Sequence, residues 1–281
     1  MIALERFLAW AHQNEHIRGL MLTGSLANQS AAKDHLSDYD IAVFGKKFDF
    51  IGSDDWLNEF QEFWICLHDQ FDFLGYEIPT RLVIFNDRLK IDFSFYPPEI
   101  LKKIIGTHEL PDDFNIGYRI LLDKDEMLNK LPKPTNEGFV VRRPSNAEYA
   151  HNVEEFWFEI AHIAKYLIRN DLWTVKFRDW SAKGLLLQML QWNSGAKMKW
   201  KISPKPNGKE MIKWVDAKAW ERLHDCFSAF DPGSSWVALE KTIQLYREIA
   251  RETAALLNYT YNEILDSNLS AYIAGIVKSE E

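Results

Sequence analysis

Cysteine is scarce in this chain. Cys66 and Cys226 are the only two in 281 residues, too few for the disulfide framework of a small secreted domain. Both fall in what reads as an apolar helical pattern, and a reducing cytoplasm is the default setting. No apolar run approaches the roughly 20 residues that a membrane helix needs. The opening Met1-Ile2-Ala3-Leu4-Glu5-Arg6 has no basic stretch ahead of an apolar one, so no signal peptide is read there. Also missing are the Gly-Lys-Ser/Thr of a P-loop and the Gly-x-Gly-x-x-Gly of a dinucleotide fold, which sets both enzyme classes aside. The 8 histidines show no metal-ligand spacing; His151 and His162 can share a helix face, but nothing joins them, and they read as structural.

What is present is an ordinary globular composition. Hydrophobic residues make up 47% and charged residues 26%, which argues against disorder. The net charge of −8 is unevenly spread: residues 1–140 hold 14 Lys+Arg against 23 Asp+Glu, and residues 141–281 hold 19 against 18. An acidic first half argues against a broad nucleic-acid surface, which would be basic. It suits a small cationic molecule or metal ions, and it equally serves solubility.

The pattern of apolar residues predicts a helix over 3–15, a short buried strand over 19–23 broken by Gly24-Ser25, a short helix over 26–32, and a second strand over 39–44. Ser53 followed by Asp54 and Asp55 reads as a helix start, with acidic residues favoured by the helix dipole, and that helix is expected to run to about His68. Two β-rich runs, 80–85 and 89–95, are joined through Asn86-Asp87 as a tight hairpin. Pro97-Pro98 opens a helix over 98–104, and 118–122 reads as one more strand. The stretch 131–138, rich in proline and polar residues, is a linker. Beyond it the pattern is helical over 146–170, 177–193, 216–229, 235–258 and 260–277, with an exposed loop or hairpin at 194–209. The expected fold is α+β: a mixed sheet with flanking helices over residues 1–135, then an all-helical bundle over 136–281.

The chemistry centres on Asp38-Tyr39-Asp40. Side chains alternate along a strand, so Asp38 and Asp40 face one way while Tyr39 and Ile41 face the core. Two like charges on one face repel, and a divalent cation between them relieves the repulsion. Oxygen-only ligands suit Mg2+, which binds through one or two carboxylates together with substrate phosphates. Asp92 adds a third carboxylate on the polar face it shares with Lys90 and Ser94, enough for a two-metal arrangement. Gly24-Ser25 ends a strand with a residue that lets backbone approach a phosphate closely, and Ser25 adds a hydroxyl. Singly, a Gly-Ser is more often a plain helix start and an Asp-x-Asp a solvated strand edge. Together and in this order they form the pattern of the polymerase-β-like nucleotidyltransferases.

Within that superfamily the chain resembles the aminoglycoside 6-adenylyltransferases, which modify streptomycin. The resemblance lies in Leu22-Thr23-Gly24-Ser25-Leu26-Ala27-Asn28, Ser37-Asp38-Tyr39-Asp40-Ile41 and Leu89-Lys90-Ile91-Asp92-Phe93. It continues through Leu121-Leu122-Asp123-Lys124-Asp125, Arg142-Arg143-Pro144-Ser145, Glu155-Phe156-Trp157 and Ala164-Lys165-Tyr166-Leu167-Ile168-Arg169-Asn170. It implies Mg2+-dependent transfer of AMP from ATP to a hydroxyl of a small cationic aminoglycoside, with loss of pyrophosphate. On that reading Asp38, Asp40 and Asp92 hold metal and act in catalysis, while Gly24, Ser25 and Lys165 bind ATP. The family also carries an acidic residue on the helical domain suited to be the general base. Its place here falls near Lys176 or Phe177, and Asp179 is the nearest substitute.

Several of these residues have a plainer reading. Lys165 can snorkel from a helix edge. Asp179 can pair with Lys183 at i,i+4, and Glu155 and Glu159 are rival carboxylates on one helix face. Trp157, Trp173, Trp180 and Trp192 are expected mostly to fill the core of the bundle. Two other functions share the same features: nucleotidyl transfer to a lincosamide, RNA end or protein side chain, or nucleotide binding without catalysis.

Overall fold

The middles of β1 (Ile17–Thr23) and β2 (Tyr39–Gly45) are apolar and buried, as strands covered on both faces must be. This computed structural model describes residues 2–28, 33–136, 140–202, 204 and 206–278. Its contacts divide the chain into two units, Met1–Gly138 and Phe139–Glu281. The first is built on a six-stranded sheet of order β3-β4-β5-β2-β1-β6. Here β3 is Phe63–Phe73, β4 Tyr76–Phe85, β5 Lys90–Tyr96 and β6 Arg119–Asp123. Only β2 and β5 run parallel; the other neighbours are antiparallel.

Alternation along the central strands makes two apolar layers. Ile41 and Val43 join Ile91, Phe93 and Phe95 under α1 (Ile2–Gln13), with Trp56, Leu57 and Phe60 closing that side. Ala42, Phe44 and Tyr96 face the other way, under Ile100, Leu101 and Ile104 of α3 (Pro98–Thr107) and Phe114 of α4 (Asp112–Asn115). The second layer leaves the polar starts of β2 and β5 partly open: Asp40, Asp92 and Ser94 are half-buried there.

Two expectations for this unit fail. No helix runs from Ser53 to His68. Two single 3-10 turns, Asp49–Gly52 and Asp55–Glu59, lead into β3, which pairs with β4. Apolar residues at 56, 60, 63 and 67 mimic a helical period, and hydrogen bonding to β4 overrides it. Cys66 therefore sits on a strand. The helix after Gly24 is a single turn, α2 (Gly24–Ala27), ending at Asn28; residues 29–32 of the expected helix lie outside the described residues, as do 137–138 of the expected linker. The hairpin through Asn86-Asp87, the helix at 98 and the last strand are all present.

The second unit is helical. Its helices are α5 (Asn146–Ile168), α6 (Leu172–Lys197), α7 (Ala217–Leu223), α8 (Pro232–Leu257) and α9 (Glu263–Lys278). α5 opens on a capping box, in which the Glu148 N–H donates to Ser145 Oγ at 3.2 Å and the Ser145 N–H to Glu148 Oε2 at 2.7 Å. α6 starts earlier than expected because Asp171 caps it, and it runs into the expected exposed loop as far as Lys197. Residues 203 and 205 of that loop lie outside the described residues. The expected helix over 216–229 is cut to α7 and a 3-10 turn, His224–Cys226.

A buried polar chain ties three of these helices together. Trp157 Nε1 donates to the Tyr261 hydroxyl at 3.1 Å, and that hydroxyl donates to Asp266 Oδ2 at 2.9 Å. Arg247 donates to both Asp266 oxygens at 2.6 Å. Burial works to raise the Asp266 carboxyl, but the bonds from Arg247, Tyr261 and Ser270 outweigh it and hold it below its usual value. A depressed carboxylate contributes stability that is complete above the unfolded value of about 3.9 and is lost as pH falls through the lower folded value. Asp266→Asn should cost about 1.5–3 kcal/mol at neutral pH, the worth of a charged hydrogen bond. It should also flatten the loss of stability below pH ~4; acid unfolding as steep as that of the parent chain would contradict this.

Candidate active site

Gly24 and Asp40 are fitted to each other. Gly24 has φ +64, the left-handed region that favours glycine, and a Cβ built there would stand 1.9 Å from Asp40 Oδ2. The strand before it reinforces the contact: Thr23 pairs with Asp40 in the β1–β2 register, and Thr23 Oγ1 donates to the Asp40 carbonyl at 3.3 Å. Asp40 in turn pairs with Asp92 across the parallel β2–β5 ladder, so both carboxylates leave the same face. Thr23, Gly24, Asp40, Asp92, Ser94, Tyr96 and Asp113 line one cavity of about 310 Å3.

Asp92 is half-buried, with its side chain 21% exposed. Its Oδ1 is buried without a protein partner, and its Oδ2 accepts from Lys90 Nζ at 2.9 Å. Burial raises its pKa, Lys90 opposes the rise, and the Asp38 charge adds to it. Lys90 also donates to Asp38 Oδ2, at 2.7 Å. Burial works against the ammonium, but these two bonds hold its pKa above the ordinary lysine value. Asp38 is thus linked to the site through Lys90 and does not line the cavity. Asp113, at the rim, was missed by sequence reasoning because α4 is one turn with no motif; desolvation and the neighbouring Asp112 raise its carboxyl. The role of Lys90 was missed too, although its strand face was read.

Ser25 follows Gly24 in the single turn α2 and is half-buried. Lys165 and Asp179 belong to the second unit, with local partners. Lys165 Nζ lies 5.0 Å from the centre of the Tyr166 ring. Asp179 Oδ1 accepts from Lys183 Nζ at 2.6 Å, the i,i+4 pair, and Lys183 also donates to Thr242. Lys176 fills the place where an acidic residue was sought, and its ammonium bonds Ser228, Ala229 and Ser235, tying down the start of α8. Glu159 is buried, with Arg178 on Oε1 at 3.0 Å and no protein partner for Oε2, whereas Glu155 is exposed beside His151. Trp157 and Trp192 fill the core as expected, but Trp173 and Trp180 are 80% and 73% exposed. With Phe177 they form an aromatic stripe at i, i+4, i+7 on α6.

The sequence profile described as Streptomycin adenylyltransferase matches residues 2–276. The chain belongs to the streptomycin adenylyltransferase family. Members of that family are nucleotidyltransferases, and the chain is an enzyme of that class. It is 29% identical over 271 residues to the aminoglycoside 6-adenylyltransferase of Campylobacter jejuni, covering 95% of this chain and 91% of the relative. Identity to the enzyme of the same name from Bacillus subtilis is 26%, over 97% of this chain and 96% of that one. The crystal structure of an aminoglycoside 6-adenyltransferase from Bacillus subtilis superposes with a TM-score of 0.48 at 23% identity, covering 98% of this chain and 97% of that one. Among the described residues no helix is long and apolar enough to cross a membrane.

Proposed function

We propose that this enzyme transfers AMP from ATP to a hydroxyl of a streptomycin-like aminoglycoside and releases pyrophosphate, with Mg2+ required. The observation that carries the reading is the pairing of Asp40 and Asp92 on the open end of the sheet, against Gly24, in a chain of this family. Residues 1–135 are assigned the nucleotidyl chemistry, and residues 136–281, the helical domain, a share in holding the acceptor. Both named relatives are aminoglycoside 6-adenylyltransferases, and the acidic first half suits a polycationic acceptor.

A divalent ion fits the residues present. The donors are all carboxylate oxygens, and one of them, Asp92 Oδ1, is buried with no protein partner, which favours a hard cation such as Mg2+. Asp40 and Asp92 would hold it, with Asp38 joining when Lys90 moves off. When bound, the ion supplies charge neutralisation on the phosphates and lowers the pKa of an attacking oxygen.

The chain's own groups do the rest. Gly24 gives the triphosphate a close backbone approach, and Ser25 offers a hydroxyl beside it. Lys90 balances the carboxylates, so they need not repel one another before substrate arrives. Lys165 adds a point charge for phosphate. The acceptor oxygen attacks the α-phosphorus, the bond from that phosphorus to the β-phosphate bridging oxygen breaks, and the hydroxyl proton passes to a carboxylate. Asp92 is assigned to help activate that hydroxyl, because it lines the cavity beside Asp40 and Gly24.

The test is mass spectrometry of aminoglycosides, streptomycin included, after incubation with enzyme, ATP and Mg2+. An AMP adduct on an aminoglycoside is expected, together with one pyrophosphate per adduct. Adducts confined to a lincosamide, RNA or protein would overturn the acceptor assignment.

A further inference from the structure

On the opposite face of the sheet from the carboxylates, the edge strand β3 carries Cys66 and His68 two residues apart, so both project the same way. Asp54 meets them from the turn before Asp55–Glu59. It stands at the N-cap position of that turn, yet its carboxylate makes no capping bond. Instead it faces the strand: His68 Nε2 is 2.8 Å from Asp54 Oδ1, and Cys66 Sγ is 3.5 Å from the same oxygen. Among the described residues, Asp54, Cys66 and His68 are the one trio of His, Cys, Asp or Glu whose ligand atoms all lie within 4.8 Å of one another.

A second feature supports this trio. Arg81 is 8% exposed and is pinned by bonds from its Nη atoms to the Thr80 and Ile51 carbonyls. Its buried Nε has no hydrogen-bond partner and stands 3.7 Å from Asp54 Oδ1. That is the place of an outer partner that orients a ligating carboxylate.

We propose that Asp54, Cys66 and His68 form a Zn2+ site, separate from the nucleotidyl site and independent of the function assigned to it. Sulfur, nitrogen and oxygen donors in one set suit Zn2+ rather than Mg2+ or Ca2+. A thiolate and a carboxylate balance the charge of the ion, which leaves the one positive charge of Arg81 beside Asp54. The exposed side of His68 leaves the fourth position to water. Binding converts the Cys66 thiol to thiolate and releases its proton to solvent. The site would pin the turn at 54–59 to an otherwise open edge strand.

The full chain, stripped with chelator, should bind one tight equivalent of Zn2+ against a chromophoric indicator. Its thermal midpoint should rise with Zn2+. Co2+ in its place should give a near-ultraviolet thiolate charge-transfer band. Cys66→Ser should abolish that band, and His68→Ala should weaken Zn2+ by at least the 10–100-fold typical of losing an outer partner. Cys226→Ser and Asp40→Asn should keep the band, which separates this site from the buried thiol and from the nucleotidyl carboxylates. A band that survives Cys66→Ser, or that disappears in Cys226→Ser or Asp40→Asn, overturns the proposal. So does the absence of a tight equivalent in the parent chain.

Discussion

Asp40→Asn should lower AMP transfer about a thousandfold at saturating ATP and Mg2+. A charge-neutralising ion supplies several kcal/mol to such a transition state, and each 1.36 kcal/mol is a factor of ten. Asparagine keeps the shape of the side chain, so Gly24 still has its neighbour and the β2–β5 ladder is undisturbed. It also removes one of two like charges paired across that ladder. Stability should therefore change far less than activity, by about 1 kcal/mol, the centre of the range for single substitutions. The readouts are radiolabelled AMP incorporation and a thermal melt on the same preparation. Near-normal incorporation by the asparagine variant would remove the carboxylate pair from the mechanism.

Gly24→Ala should damage the same site by a different route. The added methyl would sit 1.9 Å from Asp40 Oδ2 and 2.6 Å from its Cγ, so one of the two must move. The side chain is the softer, and the expected result is Asp40 turned away from Asp92. A displacement of about 1 Å in a catalytic group costs on the order of a hundredfold in rate. Positive φ adds about 1–2 kcal/mol of backbone strain for a residue with a Cβ. The control is Gly106→Ala in α3, where an added Cβ meets nothing within 4 Å. There the gain in helix propensity should leave the protein as stable or slightly more so. Equal activity in the two alanine variants would mean that the close fit of Gly24 to Asp40 has no catalytic consequence.

Much of the site was legible because strand alternation is a local rule. Lys90, Asp92 and Ser94 interleave with Ile91, Phe93 and Phe95, and that alone put the three polar groups on one face. The tight Asn86-Asp87 turn was equally local. What was not legible was the identity of partners. Nothing in the order of residues says that Lys90, beside Asp92 on its own strand, also reaches Asp38, because that contact depends on a parallel pairing between strands about fifty residues apart. The exposed pair Trp173 and Trp180 was misread for a related reason. Aromatic residues at helical spacing look the same whether or not another helix covers them.

The misassigned stretch 53–68 shows the limit most clearly. Its apolar residues satisfy a helical period and a strand period at once, and a lone sequence offers no partner to break the tie. Read as a helix, it places Cys66 and His68 about 200° apart at 100° per residue. As a strand bonded to β4 it places them side by side over Asp54.

By itself the sequence determined the class of this protein: a mixed sheet followed by helices, three acidic residues in or beside two strands, and a glycine-serine turn before them. Tertiary structure alone decided which of those carboxylates share a cavity, which is held by a lysine, and what gathers on the far face of the sheet. The physical reason is range. Periodicity and turn chemistry act over a few residues, whereas charge pairing and ligand geometry depend on distances that only the folded chain sets.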